Sequence, residues 1–229
     1  MRARTLIPAC DVELDRFEEI VVQTADLAEV GAYKVGAVLG LGEGLPTVVA
    51  AARRHTDKPL IYDHQKAGTD IPETGRPFME TLANAGIDAV ILFPFAGPTT
   101  ERAWIQAAQD AGLDVIVGAH MTHDNFLEAD SGYISAKSVE RIFRLAATVG
   151  VKHYVVPGNN PGAIAAIRAY LGADVPEPIF YAPGFVAQGG EISAAGEAAG
   201  RRWHAIVGRA IYGASDIRVA VENLSRALR

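Results

Sequence analysis

Charged side chains gather where short apolar runs end. Asp11 follows Leu6–Ala9, and Lys34 lies within Ala32–Val35. Asp63, Lys66 and Asp70 follow Leu60–Tyr62. Lys and Asp are rarely buried unless paired. Lys34, Asp63, Lys66 and Asp70 bring two cations and two anions, so the set is neutral without a divalent ion and calls for no metal and no cofactor. Held in place, such a network can stabilise charge that develops during a reaction. It can equally be a structural salt-bridge network, which also perturbs pKa values.

A second chemistry is carried by Pro183-Gly184-Phe185-Val186-Ala187-Gln188-Gly189-Gly190 and by the pair Gly208-Arg209. Glycines let backbone N–H groups approach an anion, and a helix starting nearby adds a favourable dipole. Gln188 and Arg209 supply side-chain donors, and the Arg209 fork matches a phosphate. A glycine pair alone marks only a turn. Two such loops in succession point to a phosphate-bearing ligand.

These residues need a frame. Eight runs read as strands: Leu6–Ala9, Ala32–Val35, Leu60–Tyr62, Ala89–Phe93, Asp114–Val117, His153–Val156, Ile179–Tyr181 and Ala205–Val207. Between them lie stretches with helical spacing, among them Leu14–Val30, Pro77–Ala85 and Ser138–Val149. Near-continuous apolar strands are buried on both faces, as parallel strands are. Eight βα units predict an α/β fold, the (β/α)8 TIM barrel, as one domain over residues 1–229. An open doubly wound sheet is the rival that shares the alternation. Gly31, Gly86, Gly112 and Gly150 stand just before strands, where helix C-caps belong. In this barrel function collects at the C-terminal strand ends, where the residues above fall.

Bulk properties remove several classes. The net charge of −6, with no long basic run, argues against a nucleic-acid partner. No stretch is apolar enough to span a membrane, and the single cysteine, Cys10, fits a reducing cytoplasm.

The chain resembles the orotidine 5′-monophosphate decarboxylases, particularly their short archaeal-type members, over nearly its whole length. The strongest match is Ala182 to Gly190 followed by Ile206-Val207-Gly208-Arg209-Ala210-Ile211-Tyr212. Lys34-Val35-Gly36, Asp70-Ile71-Pro72-Glu73-Thr74 and Asp11 also match. The resemblance implies a cofactor-free decarboxylase of orotidine 5′-monophosphate that works as a homodimer with shared active sites. It implies that Asp11 and Lys34 hold the ribose hydroxyls and that Asp63 faces the substrate carboxylate. Lys66 would stabilise a carbanion at C6 and protonate it. Asp70 and Thr74 would reach into the neighbouring subunit's site. Thr122 stands where the family has a serine against the pyrimidine. Gln188 and Arg209, with Pro183, Gly189 and Gly208 in the same loops, would bind the phosphate.

Two departures stand out. The family reads Asp-x-Lys-x-x-Asp after its third strand, whereas here Asp63 and Lys66 are three apart and Lys66 and Asp70 four apart. Residues three apart on a strand do not share a face, so the longer interval demands a bulge or a local turn. Met121-Thr122-His123-Asp124 replaces Met-Ser-His-Pro. Two other functions remain open at this point. One is a metal-dependent sugar-phosphate decarboxylase, aldolase or epimerase using Asp63, His64, His120, His123 and Asp124 as ligands. The other is a barrel that binds a nucleotide without turning it over.

Overall fold

The computed structural model describes residues 2–64, 70–185 and 192–228. The apolar runs become eight strands: β1 (Arg4–Cys10), β2 (Tyr33–Gly36), β3 (Leu60–Asp63), β4 (Ala89–Leu92), β5 (Asp114–Gly118), β6 (His153–Val155), β7 (Ile179–Ala182) and β8 (Trp203–Val207). Each pairs in parallel with its sequence neighbour. β1 pairs with β8 from Arg4↔Trp203 to Pro8↔Val207, which closes the sheet. Closure settles the choice of architecture, because an open sheet would leave two edges.

Helices follow the strands in turn: α1 (Leu14–Thr24), α2 (Leu45–Arg53), α3 (Gly75–Asn84), α4 (Pro98–Asp110), α5 (Ala136–Thr148), α6 (Pro161–Leu171), α7 (Ile192–Ala199) and α8 (Ile217–Ser225). Strand alternation splits the core in two. Ile7, Ile61, Ile91, Ile116, Val155 and Ile206 fill the barrel interior. Leu6, Tyr33, Leu60, Val90, Val117 and Trp203 belong to the larger core between sheet and helices.

Gly86, Gly112 and Gly150 each follow a helix C-cap with positive φ, as expected of chain-reversing caps. Gly31 does not. The apolar spacing of 14–30 suggests one helix, but α1 stops at Thr24. The Glu29 carbonyl accepts from the Leu6 amide, and the Gly31 amide donates to the Leu6 carbonyl. Residues 29–31 therefore already run along β1, and buried Leu27 and Val30 continue the apolar rhythm without continuing the helix.

The N-terminal end of the barrel carries a buried polar chain. His204 Nδ1 lies 2.8 Å from Thr5 Oγ1, its ring packs 4.9 Å from the Tyr181 ring, and the Tyr181 hydroxyl is 3.0 Å from His153 Nδ1. Burial, with His153 and Arg202 adding repulsion, holds the His204 pKa down at about 3. An unfolded histidine titrates near 6.5. Between these values the unfolded state binds the extra proton, so stability falls as pH drops from about 6.5 toward 3, by up to roughly 5 kcal/mol. Urea denaturation across that range should show a shallower pH slope for His204→Asn, which keeps a polar atom near Thr5. Equal slopes in the two proteins would rule out His204 as the source.

Candidate active site

The strand ends converge on a cavity of about 310 Å³ to which all eight strands or their following loops contribute. Its floor is apolar, built from Ile91, Val155 and Ile206. Phe93 and Phe185 add aromatic walls. A Cβ on Gly118 would stand 2.4 Å from the Phe93 ring, so glycine at the end of β5 makes room for that ring.

One side of the cavity is charged. Lys34, inward-facing on β2, places Nζ 3.2 Å from Asp63 Oδ2 at the end of β3 and 3.6 Å from Asp11 Oδ1 past β1. The Lys34 and Asp63 side chains are only 8% and 10% exposed, whereas Asp11 is 40% exposed. Burial pushes the Lys34 pKa down, but Asp63 and Asp11 outweigh it and hold the ammonium above its ordinary range. Lys34 is therefore charged throughout the neutral range. Asp63 Oδ1 is buried with no hydrogen-bond partner among the described residues. A buried carboxylate oxygen in that state calls for a donor.

Gly208 and Arg209 line the cavity beside β1, where β8 gives way to a single helical turn, Arg209–Tyr212. Arg209 is exposed, and its guanidinium makes no hydrogen bond or ion pair with the described residues. Pro183 and Gly184 follow β7 and line the same wall. Thr122 lines the cavity above β5, and its carbonyl accepts from Asn159 Nδ2 at 2.9 Å. The Gly158 amide donates to the Pro183 carbonyl at 2.8 Å. These bonds tie the loops after β5, β6 and β7 together.

The structure thus gathers Asp11, Lys34, Asp63, Thr122, Pro183, Gly208 and Arg209 around one cavity. Lys66, Gln188 and Gly189 lie outside the described residues. Asp70 and Thr74 do not line this cavity. Asp70 is exposed in a surface groove with Ile71, Pro72 and Thr100, and the Thr74 hydroxyl donates to the Ile71 carbonyl. Phe93 and Tyr212 are among the lining residues to which the sequence assigned no role. Phe93 reads there as ordinary strand core. Tyr212 sits three residues past Arg209, one helical turn on, and that spacing is the signal that could have found it.

The suggested metal ligands do not converge. His64 turns away to the Tyr62 hydroxyl. His123 and Asp124 line a separate polar chamber that shares His120 with the main cavity. His120 and His123 both pack on Phe126, at 5.9 and 5.7 Å between ring centres. Among the described residues no three His, Cys, Asp or Glu side chains form a group that could hold a metal ion.

Fold and site together define a (β/α)8 barrel of the kind whose chemistry sits at the C-terminal strand ends, with a buried Lys–Asp pair and an arginine that bonds none of the described residues. Residues 4–224 match the family model described as the orotidine 5′-phosphate decarboxylase / HUMPS family. The chain belongs to that family. It is 37% identical over 221 residues to the orotidine 5′-phosphate decarboxylase of Methanosarcina barkeri, covering 96% of this chain and 92% of that one. It is 32% identical to the Methanosarcina mazei enzyme of the same name, covering 100% and 96%. Among solved structures it is similar to the orotidine 5′-monophosphate decarboxylase of Methanocaldococcus jannaschii complexed with inhibitor BMP. That similarity has a TM-score of 0.85 and 26% identity over 99% of both chains. The Pyrococcus horikoshii enzyme aligns with a TM-score of 0.79 and 28% identity, covering 98% of this chain and 99% of that one.

Proposed function

We propose that this chain decarboxylates orotidine 5′-monophosphate to UMP in pyrimidine nucleotide synthesis, without metal or organic cofactor, in the cytoplasm. The observation that carries this reading is the buried Lys34 ammonium clamped between Asp63 and Asp11 at a cavity also lined by Arg209, which bonds none of the described residues. The phosphate docks on Arg209, Gly208 and Pro183, with Gln188 and Gly189 supplying further donors. Thr122 meets the pyrimidine edge. Asp11 and Lys34 hold the ribose hydroxyls. Asp63 faces the substrate carboxylate, and its Oδ1, which meets no donor among the described residues, is assigned to a second ammonium, that of Lys66.

The reaction breaks the bond between C6 and the carboxylate carbon. CO2 leaves, the electron pair stays on C6, and a proton from Lys66 quenches it. Fixed cations beside C6 lower the barrier because they need no reorganisation as the charge appears. Binding the remote phosphate supplies energy that can be spent at the reacting carbon.

The direct test follows the absorbance of orotidine 5′-monophosphate with the purified protein, before and after dialysis against EDTA. Decarboxylation should be present and unchanged by the chelator. No turnover would overturn the reading in favour of a nucleotide-binding barrel. Activity lost to EDTA and restored by a divalent ion would overturn its cofactor-free part.

The same reading makes the protein a two-fold dimer in which Asp70 and Thr74 serve the partner's site. Its support is that both residues lie off their own chain's cavity. An Asp70→Ala chain and an Arg209→Ala chain, assayed at substrate concentrations low enough that each alone shows little activity, should complement one another. In a mixed dimer one site carries both defects and the other carries neither. Refolding an equal mixture with random pairing should restore about a quarter of wild-type sites, by the symmetry of the closed dimer. A mixture shown to contain mixed dimers yet recovering nothing would refute the shared site.

A further inference from the structure

Asp63 owes its inward direction to its two neighbours. Tyr62 and His64 both face the helix side of β3, and the Tyr62 hydroxyl and His64 Nδ1 are hydrogen-bonded at 2.5 Å. The last β2–β3 ladder pair is Gly36↔Asp63, so this bond carries strand alternation one residue past the sheet. The His64 ring stands edge-on to Phe78 at 5.6 Å, and Phe78 packs on Trp104 of α4 at 5.1 Å. Trp104 Nε1 then donates to the Ile71 carbonyl at 3.0 Å, and Thr100 Oγ1 donates to the Asp70 carbonyl at 3.0 Å. Gly75 permits the close approach, since a Cβ there would lie 2.9 Å from Trp104.

One aromatic strip thus reaches from the residue after Asp63 to the residues at Asp70. None of Tyr62, His64, Phe78 or Trp104 lines the cavity. We propose that Tyr62, His64 and Trp104 are positioning residues that fix Asp63 and Asp70 on one rigid base, compensating for the long interval between them. The inference rests on the decarboxylase reading for the roles of those two acids. It assigns to His64 a hydrogen-bonding task in place of metal ligation.

His64→Leu keeps an apolar body against Phe78 but deletes the bond. His64→Asn keeps a polar atom close to where Nδ1 stands. His64→Leu should lower kcat for orotidine 5′-monophosphate about tenfold with KM nearly unchanged, because small displacements of reacting groups are costly. His64→Asn should recover most of that loss. Trp104→Phe, which keeps the ring packing and removes the indole donor, should behave like His64→Leu. Hydrogen exchange gives a second readout that needs no turnover. Amides at residues 61–64 should exchange faster in His64→Leu, and those at 71–74 in Trp104→Phe, while those of β5 keep their protection. Wild-type kcat and exchange in His64→Leu would overturn the proposal, as would an Asn variant no better than Leu. A wild-type protein that turns nothing over defeats the decarboxylase reading instead, and the exchange contrast between Leu and Asn still decides whether the bond holds the strand end.

Discussion

Asp63→Asn should lower kcat by about 10²–10³-fold, the range seen when one preorganised electrostatic group is removed from an active site. Lys34 is buried, and its stronger contact is Asp63, with Asp11 farther away and more exposed. Without the Asp63 charge, burial of the ammonium is no longer outweighed, and its pKa moves down. Breaking a buried pair by removing one partner costs about 3–5 kcal/mol. Asparagine keeps the shape and one acceptor, so the cost should fall at the lower end. Stability and chemistry can then be separated. Adding Lys34→Met to Asp63→Asn removes the stranded cation, so the double variant should regain much of the lost Tm while remaining inactive. Activity that returned along with stability would mean that the pair is only structural.

Arg209→Ala has the opposite profile. The guanidinium is exposed and bonds no described residue, so its removal leaves no orphaned group and should not shift Tm. Its loss should be felt by the ligand alone. A charge-assisted hydrogen bond is worth roughly 1.5–3 kcal/mol, which is about a ten- to 150-fold weaker Kd. Calorimetric titration with UMP should show that loss, and titration with uridine should show almost none. Equal losses for nucleotide and nucleoside would place Arg209 away from the phosphate.

Much of the frame was legible because parallel strands buried on both faces leave unbroken apolar runs. Every predicted strand corresponds to an observed one, with ends shifted by one or two residues; at Arg4 and Asp63 a polar end residue hid the boundary. Helix ends were less visible. Val30 is buried against β1 for reasons of pairing, and apolar spacing alone cannot tell that from a helical face. The charged side of the site was readable because Lys34 and Asp63 contradict their apolar surroundings. Phe93 was not, because an aromatic at a strand end agrees with its surroundings and only the cavity reveals its use. His64 looked like a ligand by type. Its partner two residues earlier is a tyrosine, and side chains two apart on a strand share a face, a pattern open to reading in advance.

Cys10 has a practical consequence. It is fully buried beside the Pro8 carbonyl, and burial holds its thiol well above the ordinary cysteine range. The thiolate is the reactive form, so the chain's one native sulfhydryl is inert to alkylating dyes while the barrel is folded. Tyr133, by contrast, is 98% exposed, on the loop that follows β5. A Tyr133→Cys chain should therefore take a single maleimide fluorophore on the loop after β5 with Cys10 left in place. Intact-mass measurement should find no label on the parent protein. The fold comes ready for site-specific fluorescence without first being stripped of its own cysteine.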